Sequence, residues 1–356
     1  MKILHSADWH LDSPLLGRSP EQTEDLRSAL LELPHKVAAA AKAEVCDLML
    51  LAGDLFDGPY SPESLSALRS ALEEVQIPVF IAPGNHDYYA PASPWLRESW
   101  PRNVHIFTGS AMESVSLPEL DCRVYGAAFL TADSPALLAD FRAEHSEKYA
   151  VGVLHGDPTQ VRSPYNAVTA EQVRICGLDY LALGHIHKGG SFRSGQTLCA
   201  WPGCPMGRGF DELGEKGVLI VTLADTAETR FLPLDTPRFY DLETEAGNDP
   251  AAALSHLLPP VGNRHFYRIA LTGECAGVDA QALSAAFSHF PNLELRDRTV
   301  PPMDLWAAAG DDTLEGVYFG LLQRSLEGAD PRTQYRIQLA AKLSRKILDG
   351  QEVRLP

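Results

Sequence analysis

The sequence predicts an α/β fold in which a sandwich of two sheets is flanked by helices. Three observations support this prediction. Short runs rich in leucine and β-branched residues recur along the chain, helical stretches separate many of them, and Gly, Pro and Asp turns bound them. The later runs follow one another with less helix between them, which favours a second, more antiparallel sheet beside the first.

Short apolar runs and apolar residues at helical spacing predict the strands and the helix of the first part of the chain. The predicted strands cover residues 2–5, 48–52, 79–82, 104–107, 123–129, 151–154, 180–183, 198–201, 218–223 and 230–233. Between the first two strands, apolar residues recur every three or four positions over residues 23–43, which predicts a helix with one apolar face. Pro34 lies within it, and we expect this proline to kink the helix or to divide it into two.

The pattern changes after Pro237, where we expect a second, smaller α+β domain. Residues 1–235 would form the main domain and residues 236–356 the accessory domain. Residues 243–250 are polar and contain glycine, asparagine and proline, which predicts a loop or linker. The elements expected beyond it are strands at residues 265–271 and 293–299, and helices at residues 279–290, 314–326 and 332–348.

The composition is that of a folded protein, and it restricts the partners that the chain can bind. Hydrophobic residues at 45% and charged residues at 22% exclude disordered, collagen-like and coiled-coil chains. A net charge of −17 argues against nonspecific binding of nucleic acid through a broad cationic surface. We expect no signal peptide and no membrane span, and six scattered cysteines without a Cys-x-x-Cys pair favour a reducing, cytoplasmic location.

Side chains that can bind metal ions follow five separate apolar runs. In chain order they are Asp8 with His10, then Asp54, then Asn85-His86-Asp87, then His155, and then His185 with His187. Taken singly, each group could be a helix cap or a turn. Because all five groups come at the ends of predicted strands, we expect them to meet at the carboxyl edge of a sheet and to form one site.

These groups form the ordered motifs Asp-x-His, Gly-Asp-x-x-Asp, Gly-Asn-His-Asp, His-Gly-Asp and Gly-His-x-His. The set resembles that of the calcineurin-like metallophosphoesterases. More narrowly, residues 5–14 (HSADWHLDSP) and 201–205 (WPGCP), with 209–212 (GFDE) and 216–218 (KGV), resemble the SbcD-type DNA repair nucleases and especially their YhaO-type branch. The resemblance covers about residues 1–235 and implies a metallophosphoesterase β-sandwich whose cleft is capped by the accessory domain.

The resemblance also implies a centre of two divalent metal ions. Asp8, His10, Asp54 and His187 would hold the first ion, and Asp54, Asn85, His155 and His185 the second, so that Asp54 bridges the two. Carboxylate oxygens combined with imidazole nitrogens suit Mn²⁺ best, and they also accept Fe²⁺ or Zn²⁺. The nucleophile in this scheme is a hydroxide that bridges both ions.

His86 is the candidate general acid or charge-stabilising group of the implied site. We expect Asp87 to accept a hydrogen bond from the His86 imidazole and thereby orient it. Asp57 and Asp157 are interpreted as outer or turn residues rather than ligands. Trp9 has two open interpretations, because it could line the cleft or pack beneath the sheet.

The function implied by the resemblance is a metal-dependent DNA nuclease, an exonuclease of DNA repair. Its implied partners are DNA, an SMC-like ATPase of the SbcC or YhaN type, and a second copy of the chain. Two alternatives stay open: a small-substrate phosphoesterase acting on cyclic nucleotides or phosphomonoesters, and a noncatalytic scaffold. Residues 321–356 carry seven basic and four acidic groups, which indicates either a DNA- or partner-facing patch or a solvated helix face.

Overall fold

The computed structural model describes residues 1–350 of the 356-residue chain. Its strands are β1 (Lys2–Ser6), β2 (Leu48–Leu51), β3 (Val79–Ile81), β4 (Val104–Ile106), β5 (Glu113–Leu117), β6 (Cys122–Gly126), β7 (Tyr149–His155), β8 (Tyr180–Gly184), β9 (Lys188–Ser194), β10 (Thr197–Gly203), β11 (Gly217–Leu223), β12 (Ala227–Pro233), β13 (Phe239–Glu245), β14 (Phe266–Thr272) and β15 (Leu293–Asp297). Its α-helices are α1 (Pro20–Ala43), α2 (Pro62–Val75), α3 (Pro94–Arg97), α4 (Ala170–Ile175), α5 (Pro250–Leu257), α6 (Ala280–Ala286), α7 (Leu314–Arg324) and α8 (Pro331–Leu348).

Two mixed sheets of six strands each confirm the predicted α/β class. The first has the strand order β12-β11-β1-β2-β3-β4, with β1 to β4 parallel and β11 and β12 antiparallel to their neighbours. The second has the order β5-β6-β7-β8-β10-β9, with β6, β7, β8 and β10 parallel and an antiparallel strand at each edge. Each sheet therefore has a parallel interior, and parallel strands bring their carboxyl ends to one edge.

Side chains that alternate in direction along the buried strands contribute to two separate apolar clusters. Ile3 and Leu50 pack with Val153 of the second sheet in a cluster formed by residues of both sheets. Leu4 and Leu51 belong instead to a cluster that includes the apolar residues of α1 and α2. Because neighbouring strand residues point to opposite faces, one short run supplies both layers, and this explains why β2 is apolar throughout.

Helix α1 is one continuous helix, so the expected division at Pro34 is wrong. It begins at a capping box, in which the Ser19 hydroxyl accepts from the Gln22 backbone N–H and the Gln22 side chain accepts from the Ser19 backbone N–H. Pro34 is buried together with Leu30 and Val37 on the inner face of the helix. This packing holds the helix together across the position where proline removes one backbone hydrogen bond.

Three strands lie where the sequence pattern did not predict them. They are β5, β9 and β13, and the last of these begins before and ends inside the expected loop at residues 243–250. Strand β9 contains Gly189 and Gly190 and lies at an edge of its sheet. Edge strands lack the continuous apolar run that marks a buried strand, so their sequence signal is weak.

The chain divides into two compact units. The first consists of Met1–Asp241, Asn263–Tyr267 and Phe290–Asn292, and the second of Leu242–Gly262, Arg268–His289 and the described residues from Leu293 onward. Within the second unit Lys342 pairs with Glu274 at 2.7 Å, and Arg345 pairs with Glu315. Two of the basic groups at residues 321–356 are thus neutralised locally, whereas Arg354 lies outside the described residues.

Candidate metal centre

The predicted ligands lie at the carboxyl ends of the parallel strands of both sheets. Asp8 and His10 follow β1, Asp54 follows β2, Asn85 follows β3, His155 ends β7, and His185 and His187 follow β8. The structure brings all seven side chains together, although 179 sequence positions separate the first from the last. The contacts described next join them in two halves that share the Asp54 carboxylate.

The first half of the centre consists of Asp8, His10 and His187, whose ligand atoms all lie within 4.8 Å of one another. The Nε2 atoms of His10 and His187 are 3.1 Å apart. Asp54 Oδ2 lies 3.8 Å from His10 Nε2, which places this carboxylate at the border of the first half.

The second half consists of Asp54, Asn85, His155 and His185. Asp54 Oδ2 lies 3.3 Å from His155 Nε2, so the same carboxylate oxygen approaches both halves. Asn85 Oδ1 is 2.9 Å from His155 Nε2 and 3.1 Å from His185 Nδ1. Asp54 is therefore the residue whose carboxylate oxygen lies near both halves.

The backbone at the ligands has an unusual conformation. Asp8, His10, Asp54 and His185 all have positive φ angles, of 56°, 48°, 51° and 93°. Such angles are uncommon in residues other than glycine, and they cluster at functional sites where the surrounding structure holds them. Close packing adds to the constraint, because a Cβ atom on Gly84 would lie 2.3 Å from Asp54 Oδ1.

Carboxylates lie behind the histidines of the first half. Asp57 Oδ1 accepts a hydrogen bond from His10 Nδ1 at 3.0 Å, and Glu212 Oε1 accepts one from His187 Nδ1 at 2.7 Å. The Glu212 carboxylate also accepts from the Arg208 guanidinium and the Arg208 backbone N–H, both at 2.7 Å. Burial raises the pKa of Glu212, but the hydrogen bonds from His187 and Arg208 outweigh burial and lower it below its usual range.

This arrangement fits a bound cation. A carboxylate can only accept, so Asp57 and Glu212 fix the N–H protons of His10 and His187 on Nδ1. The two Nε2 lone pairs then face each other at 3.1 Å, and a cation bound by both removes their repulsion. Asp8 and Asp54 are also buried, at 0% and 2% exposure, and buried carboxylates require positive partners. Oxygen and imidazole ligands of this kind suit Mn²⁺, Fe²⁺ or Zn²⁺.

The structure corrects the predicted partner of His86. His86 Nδ1 donates to Asp57 Oδ1 at 2.8 Å, whereas Asp87 is buried and accepts from the backbone N–H groups of Leu55 and Gly84, each at 2.8 Å. The prediction that Asp87 orients the imidazole is therefore wrong, because its carboxylate points inward and joins two loops. The hydrogen bond with Asp57 raises the pKa of His86.

His86 is more accessible than the ligands around it. Its side chain is 47% exposed, and with Tyr88 and Pro59 it lines a cavity of about 240 Å³. Its ring lies 4.8 Å from the His10 ring, centroid to centroid. A ligand atom of His86 also lies within 4.8 Å of ligand atoms of His10 and Asp54, so this side chain reaches both the metal centre and the solvent.

Two outer residues of the centre, Glu212 and Arg208, received no role from the sequence. The run at residues 209–212 contributed only to the narrower resemblance, and an acidic residue four positions after arginine is common on any protein surface. Asp57 was correctly interpreted as an outer residue. Trp9 packs in the core with 1% exposure and donates its indole N–H to Ser6 Oγ at 2.8 Å, so it does not line the cleft.

Searches for similar proteins agree on one family. Residues 1–189 match the sequence model of the calcineurin-like phosphoesterases. The uncharacterized metallophosphoesterase YhaO of Bacillus subtilis is 32% identical over 237 residues, which is 62% of this chain and 57% of YhaO.

Two further relatives are named as a subunit of the nuclease SbcCD. The protein from Bacillus subtilis is 29% identical over 268 residues, which covers 62% of this chain and 66% of the relative. The protein from Staphylococcus epidermidis is 25% identical over 287 residues, which covers 70% and 73% respectively. This chain thus spans less than two thirds of the length of YhaO and of the first of these two nuclease subunits.

Two features of the described residues bear on the remaining sequence expectations. All six cysteines are free and buried. Among residues 1–350, no helix has both the length and the apolar character needed to cross a membrane.

The family match covers more than half of the chain, and it contains every residue of the two-part centre. The chain therefore belongs to the calcineurin-like phosphoesterases, a family of hydrolases with a dimetal site.

Proposed function

We propose that this chain is a metal-dependent DNA nuclease, an exonuclease of DNA repair that hydrolyses phosphodiester bonds. The observation that carries the proposal is the convergence of seven ligand-type side chains, Asp54 among them, with the accessible His86 beside them. The two nuclease subunits among the relatives support DNA as the substrate. The family itself supports the reaction class, hydrolysis of a phosphate ester.

The chain's own residues divide the chemical work. Asp8, His10, Asp54 and His187 would hold one ion, and Asp54, Asn85, His155 and His185 the other. Two bound ions supply charge neutralisation at the phosphate and lower the pKa of a water molecule between them. Mn²⁺ is the ion that we propose, since hard carboxylate oxygens and borderline imidazole nitrogens occur together.

His86 serves the leaving group in this scheme. Its Nδ1 atom is occupied by the hydrogen bond to Asp57, which leaves Nε2 as the atom available to a substrate. A ring held in this way can donate a proton to the departing oxygen or stabilise negative charge on it. Asp57 holds both this ring and the ring of His10, so it couples the position of the general acid to that of a ligand.

The partners and the domain arrangement of the proposal come from the resemblance. We place the nuclease domain at residues 1–235 and the accessory domain, which guides the DNA strand, at residues 236–356. The proposed partners are an SMC-like ATPase of the SbcC or YhaN type and a second copy of the chain, and the proposed location is the cytoplasm. The relatives that are named as nuclease subunits support a multisubunit enzyme.

One observation favours a second candidate, a phosphoesterase for small substrates. The net charge of −17 opposes binding of a polyanion, and it opposes binding of a small monoanionic ester much less.

A hydrolysis assay with Mn²⁺ distinguishes the two candidates. Its substrates are end-labelled duplex DNA, a labelled single strand, and bis(p-nitrophenyl) phosphate. DNA cleavage that disappears in Asp54→Ala and persists in Asp25→Ala, a change on the exposed face of α1, supports the nuclease. Hydrolysis of the small ester without DNA cleavage refutes it in favour of the second candidate.

A further inference from the structure

A second cavity adjoins the metal centre on the side of His187. It has a volume of about 470 Å³ and is lined by residues of β9 and β10 from one sheet and of β11 and β12 from the other. His187 lines it as well, so the cavity begins at the first half of the centre. Its volume falls within the roughly 300–1,000 Å³ range of ligand pockets.

Lys216 is the most unusual residue of this cavity. It is only 8% exposed, and it forms no hydrogen bond or ion pair through its ammonium group with any described residue. Lysine is rarely buried without a partner. In residues 1–350, the fully buried side-chain atoms without a hydrogen-bond partner belong to His105, Arg238 and Arg345. The Lys216 ammonium group is not among them, so it must still contact solvent. Lys216 lines the cavity, and we therefore place this contact there.

The charge of the cavity is positive although the chain is acidic. Lys188, which is exposed, lines the same space as Lys216. The lining also contains one acidic residue, Glu215, which pairs with Arg238 at 3.1 Å and is thereby neutralised. An anion that enters the cavity therefore meets two lysines, one of them shielded from bulk water, where an ionic hydrogen bond is stronger than at an open surface.

An aromatic side chain lies beside the two lysines. Phe231 on β12 is 41% exposed and lines the cavity. It pairs in register with Leu219 of β11, which lines the same cavity, so both side chains point to the same face of their sheet. Trp201 is half-buried and packs with Phe192 on the opposite face of β10 from Ala200, which belongs to the cluster between the sheets. An exposed aromatic face beside cationic groups is the combination that binds a base together with its phosphate.

We propose that this cavity binds the nucleotide next to the scissile phosphate, with Lys216 and Lys188 binding its phosphate and Phe231 stacking on its base. The inference rests on the proposed function, since it presumes that the reacting phosphate lies at the metal centre beside His187. It resolves the conflict between an acidic chain and a polyanionic substrate. The positive charge needed for binding is concentrated in one cavity instead of being spread over the surface.

The first test measures binding to the Mn²⁺-loaded protein by calorimetry. Its probes are inorganic phosphate, thymidine 5′-monophosphate and thymidine 3′,5′-bisphosphate, which add first a nucleoside and then a second phosphate. We expect the bisphosphate to bind about tenfold more tightly than the monophosphate, because it gains an ionic hydrogen bond. We expect the monophosphate to bind about tenfold more tightly than phosphate, because the base stacks.

The variants assign each gain to a side chain. Lys216→Met should abolish the gain from the second phosphate, Lys216→Arg should keep most of it, and Phe231→Leu should abolish the gain from the nucleoside. Lys42→Met removes an exposed lysine of α1 and should behave as the wild type. The affinity for inorganic phosphate checks that each variant is folded. An unchanged preference for the bisphosphate in Lys216→Met, or no preference for nucleotides in the wild type, overturns the inference.

A kinetic comparison separates failure of the subsite from failure of the proposed function. The measured quantity is the ratio of kcat/KM for thymidine 5′-(p-nitrophenyl phosphate) to kcat/KM for bis(p-nitrophenyl) phosphate. A fall of about tenfold in this ratio in Phe231→Leu supports the subsite. If the wild-type protein hydrolyses both esters and the ratio is the same in every variant, the subsite is refuted while the phosphoesterase stands. If it hydrolyses neither ester, the proposed function is refuted. The calorimetric result alone then decides whether the cavity binds a nucleotide.

Discussion

The two halves of the metal centre differ in what lies behind their histidines. In the first half, His10 and His187 each donate from Nδ1 to a carboxylate, at 3.0 and 2.7 Å. In the second half, His155 Nδ1 donates to the backbone carbonyl of Ala52 at 2.8 Å. The imidazoles of His10 and His187 are thus backed by carboxylates, whereas the imidazole of His155 is backed by a neutral carbonyl.

This difference predicts unequal binding of the two ions. A carboxylate behind an imidazole makes the ring a better electron donor and fixes the tautomer, whereas a carbonyl oxygen does so more weakly. We therefore expect the first position, at His10 and His187, to bind its ion more tightly. We also expect its affinity to depend on residues that do not touch the ion, whereas the second position depends mainly on its direct ligands.

The largest effect should come from Asp54, which belongs to both halves. Asp54→Ala removes the one carboxylate that approaches His10 at 3.8 Å and His155 at 3.3 Å. We expect hydrolysis to fall at least about a thousandfold, well beyond the roughly 10–100-fold cost of losing an outer partner. Metal content measured by mass spectrometry should fall from two ions to one or none. Two ions retained at full affinity would show that Asp54 does not bridge.

His86 tests whether the first half contains a residue that acts on the substrate. His86→Ala should reduce turnover roughly 100- to 10,000-fold, the range for loss of a general acid, while both ions remain bound. His145→Gln, a change at an exposed histidine of the same unit, should leave turnover unchanged. Loss of an ion in His86→Ala would instead make His86 a ligand of the group that it forms with His10 and Asp54.

Glu212 tests the inequality of the two halves directly. Glu212→Gln keeps the shape of the side chain but removes the negative charge behind His187, and it should weaken one of two Mn²⁺ binding events by roughly 10–100-fold. The matched control is Glu147→Gln, because Glu147 also pairs with an arginine, Arg123 at 2.9 Å, but contacts no ligand. Equal weakening of both binding events, in a calorimetric titration of the metal-free protein, contradicts the comparison.

The sequence predicted the interior of the fold better than its edges. The interior strands are buried on both faces, so β2 and β8 are continuous apolar runs that are recognisable in the sequence. Strand β9 is exposed at alternate positions and contains two glycines, and its structure depends on pairing with β10 rather than on its own composition. Helix α1 is not divided at Pro34, because tertiary packing outweighs the loss of one backbone hydrogen bond.

The same contrast applies to the site. The seven ligand-type residues were identifiable because each ends a predictable strand, and the topology brings those ends together. Their outer partners depend on side-chain directions, which the sequence does not contain. Asp87 is adjacent to His86 but points to the backbone of Leu55 and Gly84, while the more distant Asp57 reaches the ring.

The smallest predicted effect concerns His5, a histidine whose two ring nitrogens both form hydrogen bonds. His5 is completely buried, with the Tyr180 hydroxyl donating to Nδ1 at 2.7 Å and Nε2 donating to the Leu183 carbonyl at 3.0 Å. Burial lowers its pKa to about 3, although the hydrogen bond to Leu183 acts in the opposite direction. The ring is therefore neutral in the folded state, whereas in the unfolded chain it takes up a proton below about pH 6.5.

The sign of the pH effect follows from this difference in proton uptake. Between pH 6.5 and about 3 the unfolded state binds one more proton at His5, so the free energy of unfolding falls as the pH falls, by up to about 1.4 kcal/mol per pH unit. His5→Gln removes this contribution, so urea unfolding in EDTA at pH 7.5, 6 and 5 should show a shallower loss for the variant than for the wild type. His145→Gln should keep the wild-type slope, since its side chain is exposed. Parallel slopes for His5→Gln and the wild type would mean that His5 is protonated in the folded protein, and the neutral hydrogen-bond partners assigned to it would then be incorrect.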